Sequence, residues 1–275
     1  MTTVIAALDN SLAVRPVLAT ATGLAHLLGA EVVPLQVGTG RAEVAQSAAD
    51  AAGLRLRIDS GPTLETLVAV GSEEHVAAMV VGARGMPGTS RPVGATALEL
   101  VTRLSKPVVV VPPDAPPRTT LRRLLVPLDG TVSAALAPKA IFELASGAQL
   151  EVVVVHVHDE DSVPAFTDQP QHEAAAWAEE FLARYCPWGL HEVRLEVRIG
   201  RREEEILRAA EDSKVDLIAL GWSQELAPGR APVVRAVLER GHIPVLLAPV
   251  RLIARSAKLS ITKEEPWNRS LSSHA

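Results

Sequence analysis

Each half of this 275-residue chain opens with an apolar run that stops at an aspartate followed by a small residue. The first is Val4-Ile5-Ala6-Ala7-Leu8-Asp9-Asn10-Ser11; the second is Leu124-Leu125-Val126-Pro127-Leu128-Asp129-Gly130-Thr131. The halves also close alike. Met79-Val80-Val81-Gly82 leads through a Gly/Pro-rich loop and a helical stretch to Lys106-Pro107-Val108-Val109-Val110-Val111-Pro112. Leu217-Ile218-Ala219-Leu220-Gly221 leads in the same way to Ile243-Pro244-Val245-Leu246-Leu247-Ala248-Pro249. Two copies at this spacing mean a duplicated domain, not a solenoid of small repeats. The expected divisions are a domain at 1–113, a proline-bearing linker at 114–120, a second domain at 121–250 and a polar tail at 251–275.

Length allows about two domains of roughly 100–200 residues, each with its own core. Aromatic residues are only 3% of the chain, so those cores are built from Ala, Val, Leu and Ile, as in buried parallel strands. The net charge of −5 offers no concentrated basic face, which argues against nucleic acid as a partner. No apolar stretch reaches the roughly 18 residues that span a bilayer. The first apolar run carries no basic flank and stops at Asp9, unlike a secretory leader. Cys186 is the one cysteine, so no intrachain disulfide forms; it is read as a buried or half-buried small residue. These features together predict a cytoplasmic protein.

Hydrophobic spacing predicts strands at 3–8, 31–37, 54–58, 76–82 and 107–111, with helices at 13–28, 41–52, 63–73 and 93–105 between them. The second half predicts strands near 123–128, 150–157, 191–199, 215–221 and 243–248. Its helices fall near 132–146, 170–185, 201–213 and 231–241. Strands alternating with helices make right-handed crossovers and a parallel sheet.

In such sheets a ligand sits beyond the carboxyl ends of the strands. Asp9 and Gly82 lie at two such ends, and Asp9 can accept hydrogen bonds from a ribose or a base. Gly82, Gly85, Gly88 and Gly94 remove side chains, so that backbone amides can approach phosphate oxygens. Gly94-Ala95-Thr96 opens a helix, whose free amides and dipole favour an anion. Arg84 and Arg91 would offset its charge. A merely flexible surface loop would use the same residues.

The whole repeat resembles the universal stress protein family in tandem form. That resemblance implies two adenine-nucleotide-binding-like α/β domains. Each is a five-stranded parallel sheet in the order 3-2-1-4-5 with helices on both faces. It implies that ATP or a related adenine nucleotide, with or without Mg, binds the first domain. Asp9 and Val37 would hold the adenosine, and Gly82, Gly85, Gly94 and Thr96 the phosphates, with Ala7, Leu8, Arg84 and Ala95 as further residues of the same site. The loop from Gly82 to Thr96 departs from the family pattern twice. Its spacer from Gly85 to Gly94 is eight residues, one short, and Ala95 replaces a hydroxyl residue. A stress-response binding module, at most a slow ATPase, is one expectation. A member that binds no nucleotide and serves structure or protein interaction is the other. The last strands of the two domains are expected to pair within the chain, and a homo-oligomer is a further expectation.

The second copy departs further. Gln224 stands at the second glycine, Glu225 follows it, and Pro232-Val233-Val234 replaces the Gly-hydroxyl pair. A degenerate site kept for packing is expected there. Other chemistry fits less well. Gly38-Thr39-Gly40 with Asp59 imitates a dinucleotide fingerprint, but Glu43 occupies its third glycine position. His156 and His158 share a strand face and would need a third metal ligand such as His172 or Asp161. Ser11 and Thr131 read as helix caps rather than nucleophiles.

Overall fold

A computed structural model describes residues 1–11, 13–38, 42–84, 93–128, 150–158, 171–186, 193–226 and 231–249. The first repeat runs β1 (Thr3–Leu8), α1 (Val14–Leu28), β2 (Glu31–Val37), α2 (Glu43–Ala51), β3 (Arg57–Asp59), α3 (Thr63–Ser72), β4 (Val76–Gly82), α4 (Ala95–Arg103) and β5 (Val108–Val111). The second runs β6 (Arg123–Pro127), β7 (Glu151–His158), α5 (Gln171–Tyr185), β8 (Val193–Ile199), α6 (Arg202–Asp212), β9 (Leu217–Trp222), α7 (Pro232–Arg240) and β10 (Val245–Pro249). The helix expected at 132–146, the residues Asp129 and Thr131 and the tail from 251 lie outside the described residues.

The strands form one sheet ordered β3-β2-β1-β4-β5-β10-β9-β6-β7-β8. Each half follows the 3-2-1-4-5 order, and all pairs are parallel except β5 with β10. The last strands of the two repeats therefore meet antiparallel, with Val110 opposite Val245 and Val108 opposite Leu247. The sequence forces this join. All four residues of β5 are buried valines. Fully burying each is worth about 1.5–3 kcal/mol, so an uncovered β5 edge would forfeit a large share of a domain's stability. Pro107, Pro112, Pro244 and Pro249 fall at the ends of the two strands and confine the pairing to a few residues.

Strand alternation sends side chains to two cores, and each core runs through both repeats. On one face Val4, Val109, Leu246 and Val154 pack under α1, α2 and α5. On the other Ile5, Val110, Leu247 and Val155 pack under α3, α4, α6 and α7. The segment 114–120 is strapped down. Ala115 is buried. The buried Asp216 carboxylate pairs with Arg118 and accepts the amides of Arg122 at 2.8 Å and Arg123 at 3.1 Å. Gly23 of α1 admits this segment, because a Cβ there would stand 2.9 Å from Leu121 and 3.4 Å from the Thr119 backbone.

One strand starts late. The apolar stretch 54–58 predicts β3 there, but pairing begins at Arg57. Gly53 has φ +68 and the Leu54 amide still bonds back to Ala49, so the chain is leaving α2 until Leu56 enters the core.

Candidate functional site

At the carboxyl ends of β1, β2 and β4 lies a cleft of about 390 Å³. β1 delivers Ala7, Leu8 and Asp9; β2 delivers Gln36 and Val37; β4 delivers Gly82; and the start of α4 delivers Gly94 and Thr96. Seven of the expected residues thus share one cavity: Ala7, Leu8, Asp9, Val37, Gly82, Gly94 and Thr96, all counted among its walls. Ala95 starts α4 but its side chain is exposed and off the cleft wall, so only its amide can serve. Arg84 is exposed beyond the end of β4 and is not part of the wall either. Gly85, with Gly88 and Arg91, lies outside the described residues.

The geometry assigns the glycines distinct jobs. A Cβ on Gly82 would stand 3.2 Å from the Ala13 Cβ and 3.4 Å from the Arg84 carbonyl, so the bare residue lets the start of α1 close over β4. Gly94 has φ −72, which any residue adopts, and its amide donates to Ala83 O at 2.7 Å. The expectation that the Gly94 amide meets phosphate is therefore corrected by this bond. The amides that open toward an anion are those of Ala95, Thr96 and Ala97, which begin α4 and have no intrahelical acceptor. Ala83 fixes the entrance from both sides, since its own amide donates to Val111 O at 2.7 Å.

Asp9 is held by its turn. Its Oδ1 accepts the Ser11 amide at 2.9 Å, and the Ser11 hydroxyl accepts the Ala13 amide at 3.2 Å. Ser11 thus braces the entry to α1 from two residues ahead, whereas Ala13 occupies the cap position without a side-chain bond. Gln36 and Thr63 line the same cleft and sequence reading missed both. The signal for Gln36 was an uncharged polar residue at the apolar end of a strand; it is 6% exposed.

The second repeat carries a cleft at the matching place, about 550 Å³, lined by residues at the ends of β6, β7 and β9 and the starts of α6 and α7. His156 and His158 stack edge-on at 4.4 Å between ring centroids and pack on Trp177 and Phe181. His156 Nδ1 lies 2.8 Å from Leu128 O, so Nδ1 carries the proton there. No group of three metal-ligating side chains occurs among the described residues; Asp161 and the His172 side chain lie outside them.

Gln224 has turned to another task. Its φ is +62, and its side-chain amide donates to Val101 O at 3.2 Å, Thr102 O at 3.2 Å and Leu104 O at 2.7 Å. It therefore caps the carboxyl end of α4, the helix whose other end lines the first cleft.

The rival residues go elsewhere. Both oxygens of Asp59 are held by Arg57, at 3.0 and 2.7 Å, away from either cleft. Burial pushes the Cys186 thiol up to about 11, which leaves it protonated and inert at neutral pH.

A family model described as the universal stress protein family matches residues 120–249, which is the entire second repeat. That match assigns the second repeat to the universal stress protein family. A universal stress protein from Archaeoglobus fulgidus DSM 4304 is similar over 90% of this chain and 98% of its own, at 16% identity and a TM-score of 0.61. A functionally unknown protein, PA1789, from Pseudomonas aeruginosa PAO1 is similar over 96% of this chain and 98% of its own, at 14% identity and a TM-score of 0.64. At such identities the likeness is one of fold, and it extends through both repeats. No curated protein matches the chain. No described helix of it is long and apolar enough to cross a membrane.

Proposed function

We propose that the first cleft of this chain binds an adenine nucleotide, with ATP the best fit. Binding would change its conformation or its choice of partner rather than feed rapid turnover. One observation carries the reading. Asp9, Val37, Gly82, Gly94 and Thr96, from distant parts of the chain, line a single cavity that ends on the open first turn of α4. The base and ribose lie toward Asp9, Gln36 and Val37. The phosphates lie over the amides of Ala95, Thr96 and Ala97, where exposed N–H groups and the helix dipole favour anions. Thr96 adds a hydroxyl one residue after the place where Ala95 lacks one. The cleft's size is in the usual range for small-ligand sites of about 300–1,000 Å³. A Mg ion would be carried on the phosphates, and no residue is assigned to it.

Titration of ATP onto the full chain tests this, beside Asp9→Ala and Thr96→Glu. A carboxylate at position 96 suits the first turn of a helix, so α4 survives, while like charge a few ångströms from phosphate costs about 3 kcal/mol or roughly a hundredfold in affinity. Saturable binding weakened by both substitutions is the expected result. No saturable binding to the intact chain, or unchanged affinity in Thr96→Glu, would sink the reading.

A further inference from the structure

The two outer edges of the sheet are built differently. β3 closes one side with three residues, Arg57–Asp59. β8 closes the other with seven, Val193–Ile199, and among the described residues it pairs with β7 alone. Most of the devices that blunt an edge are missing from β8. It carries no proline and no lysine, and it matches β7 residue for residue without a bulge. Its sequence, Val-Arg-Leu-Glu-Val-Arg-Ile, alternates strictly. Arg194, Glu196 and Arg198 lie on the α6 side, tied to Ser213 and Asp212. On the other face Val193 and Leu195 pack against the core under α5. Val197 and Ile199 continue that face, yet they are 41% and 48% exposed. No other described strand exposes two large apolar side chains.

The backbone decides which groups this edge offers. Gly200 N–H donates to His158 O on β7 at 3.0 Å. Main-chain groups alternate sides along a strand, so Arg198, Glu196 and Arg194 also face β7. The N–H and C=O groups of Leu195, Val197 and Ile199 therefore point outward. An unpaired row of this kind is a template for another strand. A second copy of β8 fits it antiparallel, in a register chosen by charge and cover. Directly opposite residues of such a pair share a face. With Val197 opposite its own copy, Leu195 stands opposite Ile199 and Glu196 opposite Arg198. A two-fold at Glu196 would set glutamate against glutamate and Arg194 against Arg198, which like charges disfavour. A two-fold at Leu195 keeps opposite charges together but carries Ile199 past the start of the facing strand, uncovered.

We infer that two copies of this chain join through β8, antiparallel about a two-fold axis at Val197. The outward main-chain groups of Leu195, Val197 and Ile199 then find partners, both exposed side chains are covered, and the sheet runs on through two chains. The chain makes the same kind of join internally, where β5 meets β10 antiparallel. The pairing is isologous and closes at two copies, because the edge left at either end is the three-residue β3. A join of one short strand is small beside the standard interface of about 1,600 Å², so the dimer is reversible and forms at roughly micromolar concentrations.

Sedimentation velocity of the full chain, from about 1 to about 200 µM, reads the equilibrium directly. Reversible dimerisation is expected. Val197→Lys sets two ammonium groups opposite each other at the axis and should weaken association at least about tenfold. Val197→Pro removes an outward N–H without breaking a bond to β7, and it should weaken association similarly. Melting curves confirm that each variant folds; if Val197→Lys does not, Val197→Pro and the cross-links decide. Register is read by oxidative cross-linking in a Cys186→Ala background. Val197→Cys lies at the axis with Cα atoms about 5.5 Å apart, within disulfide reach, and should cross-link. Ile199→Cys stands about 13 Å from its copy and should not. A chain that stays monomeric throughout the range overturns the inference. So does a dimer that the folded position-197 variants leave intact, or faster cross-linking by Ile199→Cys than by Val197→Cys.

Discussion

The two clefts occupy equivalent places on one continuous sheet, and they differ at a handful of positions. The first ends on Gly94-Ala95-Thr96, an open helix start; the second ends on Ala231-Pro232-Val233, a closed one. The first has Ala83 beside its glycine; the second has the buried Trp222. Topology is shared, so it does not account for a difference in ligand. What separates the clefts is which amides are open and which side chains fill the strand ends. It is also notable that the family model matches the second repeat, the one whose helix start lacks the open cradle. That match therefore speaks to the fold of the second repeat and leaves the ligand to these few residues.

The sharpest way to break the comparison is to convert one helix start into the other. The triple substitution Ala231→Gly, Pro232→Ala and Val233→Thr restores an amide and a hydroxyl at α7. It also relieves Ala231, whose φ is +48. Charge-assisted hydrogen bonds are worth about 1.5–3 kcal/mol each, so the second cleft should gain roughly a hundredfold in ATP affinity. Calorimetric stoichiometry reads this directly: binding in an Asp9→Ala background should move to the second cleft. Unchanged stoichiometry would show that the helix start does not govern phosphate binding.

Much of this contrast was legible in the sequence. Apolar runs marked the strands of both repeats and the described helices between them, because strands buried on two faces leave a strong apolar signature. Asp9, Val37 and the glycines before α4 also stood out locally. Gln36 and Thr63 did not, because only the parallel register of β1, β2 and β4 carries them to the same cleft. Gln224 was legible as a lost glycine, but its actual partners lie 120 or more residues away and exist only once β5 meets β10. The boundary of β3 was misplaced because apolar character marked the core entry of Leu56, not the start of pairing.

Gln224 supplies the second test, since it fastens the second repeat to the helix that serves the first cleft. Gln224→Ala discards the cap and retains a left-handed backbone at a residue that disfavours it. Loss of the cap should cost about 1–2 kcal/mol. Gln224→Gly discards the same bonds but relieves the backbone, recovering about 1 kcal/mol. Denaturant midpoints should therefore rank native, then Gly, then Ala. If Gly and Ala are equally destabilised, the positive φ is not a source of strain.

The smallest expected effect compares the two outer edges of the sheet. β3 carries Arg57, which pairs with Asp59 at 2.7 Å and more loosely with Glu73 at 3.6 Å. β8 carries a network in which Glu196 meets Arg194 at 2.7 Å, Arg198 at 3.1 Å and the Ser213 hydroxyl at 2.7 Å. Burial alone pushes the Glu196 carboxyl up. The Ser213 and Arg198 hydrogen bonds and the nearby Arg194 charge outweigh it and hold the group below its ordinary value. A carboxyl lowered in the folded state stabilises the fold above its unfolded pKa, and that stability is lost as pH falls through the folded value. Glu196→Gln should therefore lower the melting temperature near neutral pH and converge on the native chain as pH falls below the usual carboxylate range. Since Arg194 is half-exposed, solvent screens the pair and the difference at neutral pH should be modest. A deficit that persists undiminished into acid would assign Glu196's contribution to packing against β7 and α6, and the second edge would then need no ionic network to hold it.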